Sequence, residues 1–172
     1  MAMALACLAY PACAGEAAVA LRAEHWVVPP ATGPVTHVVI ENRQNTPYSG
    51  TVTLELPKGW VANRTRADVK IKPRGRARVA FALQKARASE ANQYPVRVTA
   101  TSAAGSLTRK QTVVCSSAPH YEPRVDGRAT DWKDALPISF EHKGKRTTFA
   151  TYWNRRHFYV LCQVAERKLL GY

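Results

Sequence analysis

Apolar and polar residues alternate with a period of two along most of this 172-residue chain. That is the spacing of strands showing one face to a core and the other to water. Between Glu16 and Val114 the pattern resolves into strand-like segments at Ala17 to Arg22, Val35 to Glu41, Thr51 to Leu56, Asp68 to Ile71, Arg76 to Leu83, Tyr94 to Thr101 and Leu107 to Val114. Chain breakers fall between them: Pro29-Pro30, Gly33-Pro34, Pro47, Ser49-Gly50, Pro57-Lys58-Gly59, Pro73-Arg74-Gly75 and Ala104-Gly105-Ser106. Proline removes a ladder donor and glycine accepts positive φ, so each interrupts a strand. About seven short strands at near-regular spacing, with no helical period, predict an all-β fold and an immunoglobulin-like β-sandwich over residues 15–114.

Ser116-Ser117-Ala118-Pro119 reads as a short polar linker within residues 115–119. Beyond it, Val125-Asp126-Gly127-Arg128-Ala129-Thr130-Asp131-Trp132 predicts a tight turn that sends one large ring inward. Alternation returns in Thr147 to Trp153, a turn-like Asn154-Arg155-Arg156-His157 follows, and Phe158 to Val164 gives another strand. Residues 120–172 therefore predict a second, incomplete β-sandwich of about three strands. Its Trp132, Phe149, Trp153, Phe158 and Val160 are expected to point inward with no second sheet to meet, leaving one bare apolar face and open edges.

Val125-Asp126-Gly127, Asp131-Trp132, Trp153, Tyr159-Val160 and Val164 resemble, in order and spacing, the opening of a family 9 carbohydrate-binding module. Asn154 stands where that family usually has Asp, Phe158 where it has Leu, and Glu166 where it has a final Asp. Upstream, Val38-Val39-Ile40-Glu41-Asn42, Leu54-Glu55-Leu56-Pro57-Lys58-Gly59-Trp60 and Ile71-Lys72-Pro73-Arg74-Gly75 resemble the sandwich domain found beside sugar-binding modules and in α-galactosidases. These resemblances imply a non-catalytic carbohydrate-binding and spacer portion of a secreted polysaccharide-degrading protein, whose hydrolysis another domain performs. The family's principal stacking Trp and acidic neighbours follow the matched part, so the chain is expected to be a fragment, its carbohydrate-binding residues are not assignable, and a polysaccharide or oligosaccharide partner is expected to bind through the complete module. Trp132 and Trp153 match positions expected to be core. Trp60 is expected to cap one end of the sandwich core, with sugar stacking as its functional alternative.

Charge adds a competing class. The chain carries 25 Lys plus Arg against 12 Asp plus Glu, a formal +13, which would suit a polyanion. The densest run, Arg64, Arg66, Lys70, Lys72, Arg74, Arg76 and Arg78, alternates as a solvated strand face would. A purely structural or adhesive module is the third reading. No nucleic-acid partner is expected.

Catalytic and metal chemistry find no footing. His25, His37, His120, His142 and His157 are scattered without ligand spacing, so no metal or cofactor is expected. Asp126, Asp131 and Asp134 crowd one turn rather than face each other across a glycosidic bond. Met1 to Ala14 is small and apolar, and Ala12-Cys13-Ala14 has the form that signal peptidase cuts, predicting a signal peptide over residues 1–14 and a secreted or periplasmic protein. Cys7 and Cys13 fall in that leader. Cys115 and Cys162 remain, either pairing in an oxidising compartment or serving as small buried hydrophobes. Asn63-Arg64-Thr65 is a glycosylation sequon that matters only in a eukaryotic host. No apolar run approaches the roughly twenty residues a transmembrane helix needs.

Overall fold

The computed structural model describes residues 17–165, so the expected signal peptide, Glu166 and the closing residues lie outside the described residues. Eleven strands are found there: β1 (Val19–Ala23), β2 (Val35–Asn42), β3 (Tyr48–Glu55), β4 (Val61–Ala62), β5 (Arg66–Ile71), β6 (Arg76–Lys85), β7 (Tyr94–Ser102), β8 (Gly105–Val113), β9 (Ile138–His142), β10 (Lys145–Trp153) and β11 (Phe158–Val164). The first eight make two four-stranded sheets, in the orders β1-β2-β6-β4 and β5-β3-β7-β8. Central pairs β2–β6 and β3–β7 are antiparallel, and the chain changes sheet at every step from β2 to β7. This is the all-β sandwich that the alternation implied.

Inward residues of both sheets interdigitate in one core. Val38, Ile40, Phe81 and Leu83 meet Val52, Leu54, Val96 and Val98, with Val113 of β8 closing one side. Asn42 ends β2 with its side chain fully buried, and it answers that burial with bonds to three backbone groups. Its amide donates to the Thr46 and Lys72 carbonyls, and its oxygen accepts the Gln44 N–H. A buried carboxamide satisfied in this way fixes two turns against each other.

The Pro57-Lys58-Gly59-Trp60 element forms a turn in which the Trp60 N–H donates to the Pro57 carbonyl at 3.0 Å and Gly59 holds φ 83°. It delivers Trp60 onto Trp26, with ring centroids 5.6 Å apart, and onto Tyr94, at 5.3 Å. Trp60 is half-buried against the core and Trp26 is buried beneath it. The cap expected of Trp60 is thus shared among three rings.

Three local expectations need correction. Ser49-Gly50 does not break a strand but lies inside β3, because a Cβ at Gly50 would collide with the Thr101 carbonyl and the Tyr48 hydroxyl. There the chain needs glycine for close approach, not for a turn. Two strands, β4 and β9, escaped the sequence pattern; β4 is only two residues long, paired to β6 through an irregular register. Residues 115–119 do not form a loose connection. Trp26 N–H donates to the Val114 carbonyl, the Ser116 N–H donates to the Trp26 carbonyl, and the Trp153 N–H donates to the Pro119 carbonyl, so one end of the segment is bridged to Trp26 and the other to the end of β10.

A separate three-stranded sheet, ordered β11-β10-β9, follows. One face carries a small core of Ala135, Ala150 and Tyr152, with Trp132, Tyr159 and Leu161 packed on it.

Candidate functional site

The Asp126-Gly127 turn is built as its sequence suggests. Gly127 takes φ 78°, and the Asp126 carboxylate accepts the Arg128 N–H at 2.9 Å. Asp131 reaches back to accept the Arg124 N–H at 3.0 Å, closing the loop on itself. A 3-10 turn over Thr130–Trp132 then lays the Trp132 indole on the Tyr152 ring, centroids 5.0 Å apart and 28° between planes. The Tyr152 phenol is pushed up in pKa, first by burial and then by the Asp134 carboxylate.

Asn154, the departure from the family's Asp, organises the β10–β11 turn. Its oxygen accepts the Arg156 and His157 N–H groups, at 2.8 and 2.7 Å, while its amide donates to the Tyr159 hydroxyl at 3.0 Å. Aspartate could make the first two bonds, but it has no amide to give Tyr159.

Strand parity divides the remaining side chains. Tyr152 pairs with Tyr159 and Ala150 with Leu161 on the inner face; Trp153 pairs with Phe158, Thr151 with Val160 and Phe149 with Cys162 on the outer one. Trp132 is inward as expected, but Phe149, Trp153, Phe158 and Val160 are not: Phe149 lies half-buried on the outer face, and the other three are 44%, 64% and 56% exposed. Phe140, exposed on β9, stacks beside Phe149 with centroids 5.8 Å apart. Both faces of this sheet are apolar, and the smaller inner ring set is the one that the Trp132 turn covers. Among the described residues nothing packs over the outer face, an exposed aromatic surface. At its edge His120 meets Trp153 edge-on at 4.9 Å.

Between the sheet's inner face and the sandwich loop at Ser89-Glu90 lies a cleft of about 540 Å³, bordered by Trp132, Lys133, Asp134, Thr148 and Gln163. Its wall is fixed by Asn92, which is fully buried in a left-handed conformation at φ 49°. The Asn92 amide donates to the Cys115 and Pro137 carbonyls at 2.8 and 3.0 Å, and its oxygen accepts the Cys115 N–H at 3.0 Å. One side chain therefore ties sandwich, connecting segment and second unit together.

The basic run does not form one surface. Arg76 and Arg78 on β6 pair with Glu41 and Glu24, at 3.0 and 2.7 Å. Arg64 donates to the Ala80 carbonyl, Arg66 to the Thr51 hydroxyl and Arg74 to the Asn45 carboxamide. Arg66 and Lys70 lie on β5, in the opposite sheet from Arg76 and Arg78. Cys115 is buried, its thiol pushed up in pKa by that burial, and Cys162 is exposed on β11; both are free thiols. Asn63 is exposed, yet its carboxamide oxygen accepts the Ala82 N–H at 2.9 Å. Among the described residues no group of three or more His, Cys, Asp or Glu could hold a metal, and no helix is long and apolar enough to cross a membrane.

Turn motifs flagged Trp60 and Trp132 and the alternation flagged Trp153, but Trp26, Asn92, Glu90 and Gln163 were passed over. Trp26 stands before Val27-Val28-Pro29, where a strand pattern is already broken. Asn92, Glu90 and Gln163 carry no local signal, because their partners or neighbours are distant in sequence.

No family model matches the chain, and no curated protein is similar to it in sequence. Among solved structures the chain is similar to the E. coli chaperone DraB, at 13% identity over 78% of this chain and 68% of that one, with a TM-score of 0.40.

Proposed function

We propose that this chain is the non-catalytic carbohydrate-binding and spacer portion of a secreted polysaccharide-degrading protein. The observation that carries the reading is the three-stranded sheet with its Asp126-Gly127 turn and its inner aromatic face of Trp132, Tyr152 and Tyr159. The residues that resemble the opening of a family 9 module serve the architecture: Asp126 and Asp131 close the turn, Trp132 seats it, and Val160 lies outward. Aromatic rings on a rigid sheet suit pyranose rings, whose C–H faces are apolar and whose rims carry hydroxyls. The sandwich acts as the spacer, and Asn92 keeps the sheet at a fixed offset from it.

A polyanion-binding role draws less support. The arginines of the basic run are distributed over two sheets and engaged with carboxylates, carbonyls or hydroxyls of their own surface.

Deletion tests the assignment. The sandwich has its own core, so residues 17–114 should fold alone. In affinity electrophoresis through gels containing xylan or mixed-linkage glucan, the native protein should be retarded and the sandwich alone should not. Equal retardation of both would move the binding to the sandwich, and none for either would leave a structural module.

A further inference from the structure

We infer that the cleft between the Ser89-Glu90 loop and the inner face of the β9–β11 sheet binds a neutral sugar unit. This rests on the carbohydrate reading above and goes beyond it by placing a ligand site within the chain itself. At about 540 Å³ the cleft falls in the range of small-ligand sites, and it lies between two structural units, where such sites concentrate.

Its lining has the two characters a sugar requires. Trp132 stacks on Tyr152 and is half-buried, so the indole is locked in place while still bordering the cleft. Ala150 and Leu161 give the floor an apolar surface, and the short alanine leaves room above it. Around that floor stand Glu90, Lys133, Asp134, Thr148 and Gln163. Together they offer ammonium, amide and hydroxyl donors alongside carboxylate and carbonyl acceptors, the mixture that matches hydroxyls able both to give and to accept. A sulfate or phosphate would meet two carboxylates against one ammonium, so the cleft opposes polyanions even in a chain of formal charge +13. A hydrocarbon ligand would strand the same polar groups without partners.

The wall is held in advance of binding. Asn92 N–H donates to the Ser89 carbonyl at 2.9 Å, and the Ser89 N–H donates to the Tyr94 hydroxyl at 3.1 Å. The Asn92 amide then joins that loop to Pro137 across the junction. Ordering a mobile loop would weaken a small ligand's affinity, and these bonds remove that cost.

Isothermal titration of the full chain with neutral β-linked hexasaccharides of glucose, xylose and mannose, with oligogalacturonate as the acidic control, tests the site. Glu90 and Gln163 are exposed, so Glu90→Ala and Gln163→Ala should leave the fold intact. Each should weaken binding of the preferred neutral sugar about tenfold, the loss of one hydrogen bond to a hydroxyl. Trp153→Ala, on the opposite face of the sheet, should leave it unchanged. Sugar binding that survives both cleft variants and falls with Trp153→Ala or Phe158→Ala would overturn the cleft and leave the carbohydrate reading standing. Retention on insoluble polysaccharide with no hexasaccharide binding would do the same. Failure to bind either form would overturn both.

Discussion

Asn92 answers both backbone groups of Cys115: its carboxamide oxygen accepts the Cys115 N–H at 3.0 Å and its amide donates to the Cys115 carbonyl at 2.8 Å. The same amide reaches the Pro137 carbonyl, and residue 92 sits at φ 49°, where Asn and Gly are tolerated and Ala is strained. Asn92→Ala should cost about 3 to 5 kcal/mol in urea unfolding, because it leaves buried backbone groups unpaired and adds backbone strain. Asn92→Gly removes the strain but not the lost bonds, and should recover about 1 kcal/mol of that.

The three-ring cluster sets an order among tryptophans. Trp26 is buried beneath Trp60 and Tyr94, whereas Trp60 keeps part of its surface in water. Trp26→Ala should therefore destabilise by about 3 to 5 kcal/mol and Trp60→Ala by less, yet by more than about 1 kcal/mol. Chemical denaturation of the two variants checks the ranking, and a negligible loss at Trp60 would return it to the surface as a stacking residue.

Acid should loosen the edge of the first sheet. Arg78 bonds Glu24 and holds its carboxyl below the usual glutamate value, with His37 3.8 Å away. The contribution is present above the unfolded value of about 4.3 and is lost as pH falls through the lower folded value. The melting temperature of the parent should drop below that pH more than that of Glu24→Gln, which carries no carboxylate to protonate.

The outer face of the second sheet should make the protein self-associate. Trp153, Phe158, Val160 and Phe140 are exposed together beside the open strand β11. Phe158→Lys should raise the concentration at which light scattering detects association, with circular dichroism unchanged. If the variant unfolds instead, Phe158 is supporting the sheet rather than facing water.

Alternation with period two made most of the sandwich legible, since Val38, Ile40, Val52, Leu54, Phe81 and Val98 mark buried faces that polar neighbours leave unambiguous. It could not assign faces in the second sheet. From Phe149 to Trp153 one parity offers Phe149 and Trp153 and the other offers Ala150 and Tyr152; both are apolar, and a one-residue choice exchanges every side chain. The Trp132 turn decides the matter, because it packs on Tyr152. Ile138-Ser139-Phe140-Glu141 also alternates, but it is a four-residue run directly after Pro137, too short to stand out as a strand. Asn92 was silent because Cys115 and Pro137, its partners, lie 23 and 45 residues away.

Salt dependence tests the carbohydrate assignment most directly. Binding by aromatic stacking and neutral hydrogen bonds releases few counterions, whereas binding through sulfates or carboxylates weakens steeply as salt rises. Affinity electrophoresis of the native protein against xylan, mixed-linkage glucan and polygalacturonate should be run at low and high salt. The account predicts retardation by a neutral polysaccharide that is the same at both. Retardation by polygalacturonate alone, lost at high salt, would contradict it.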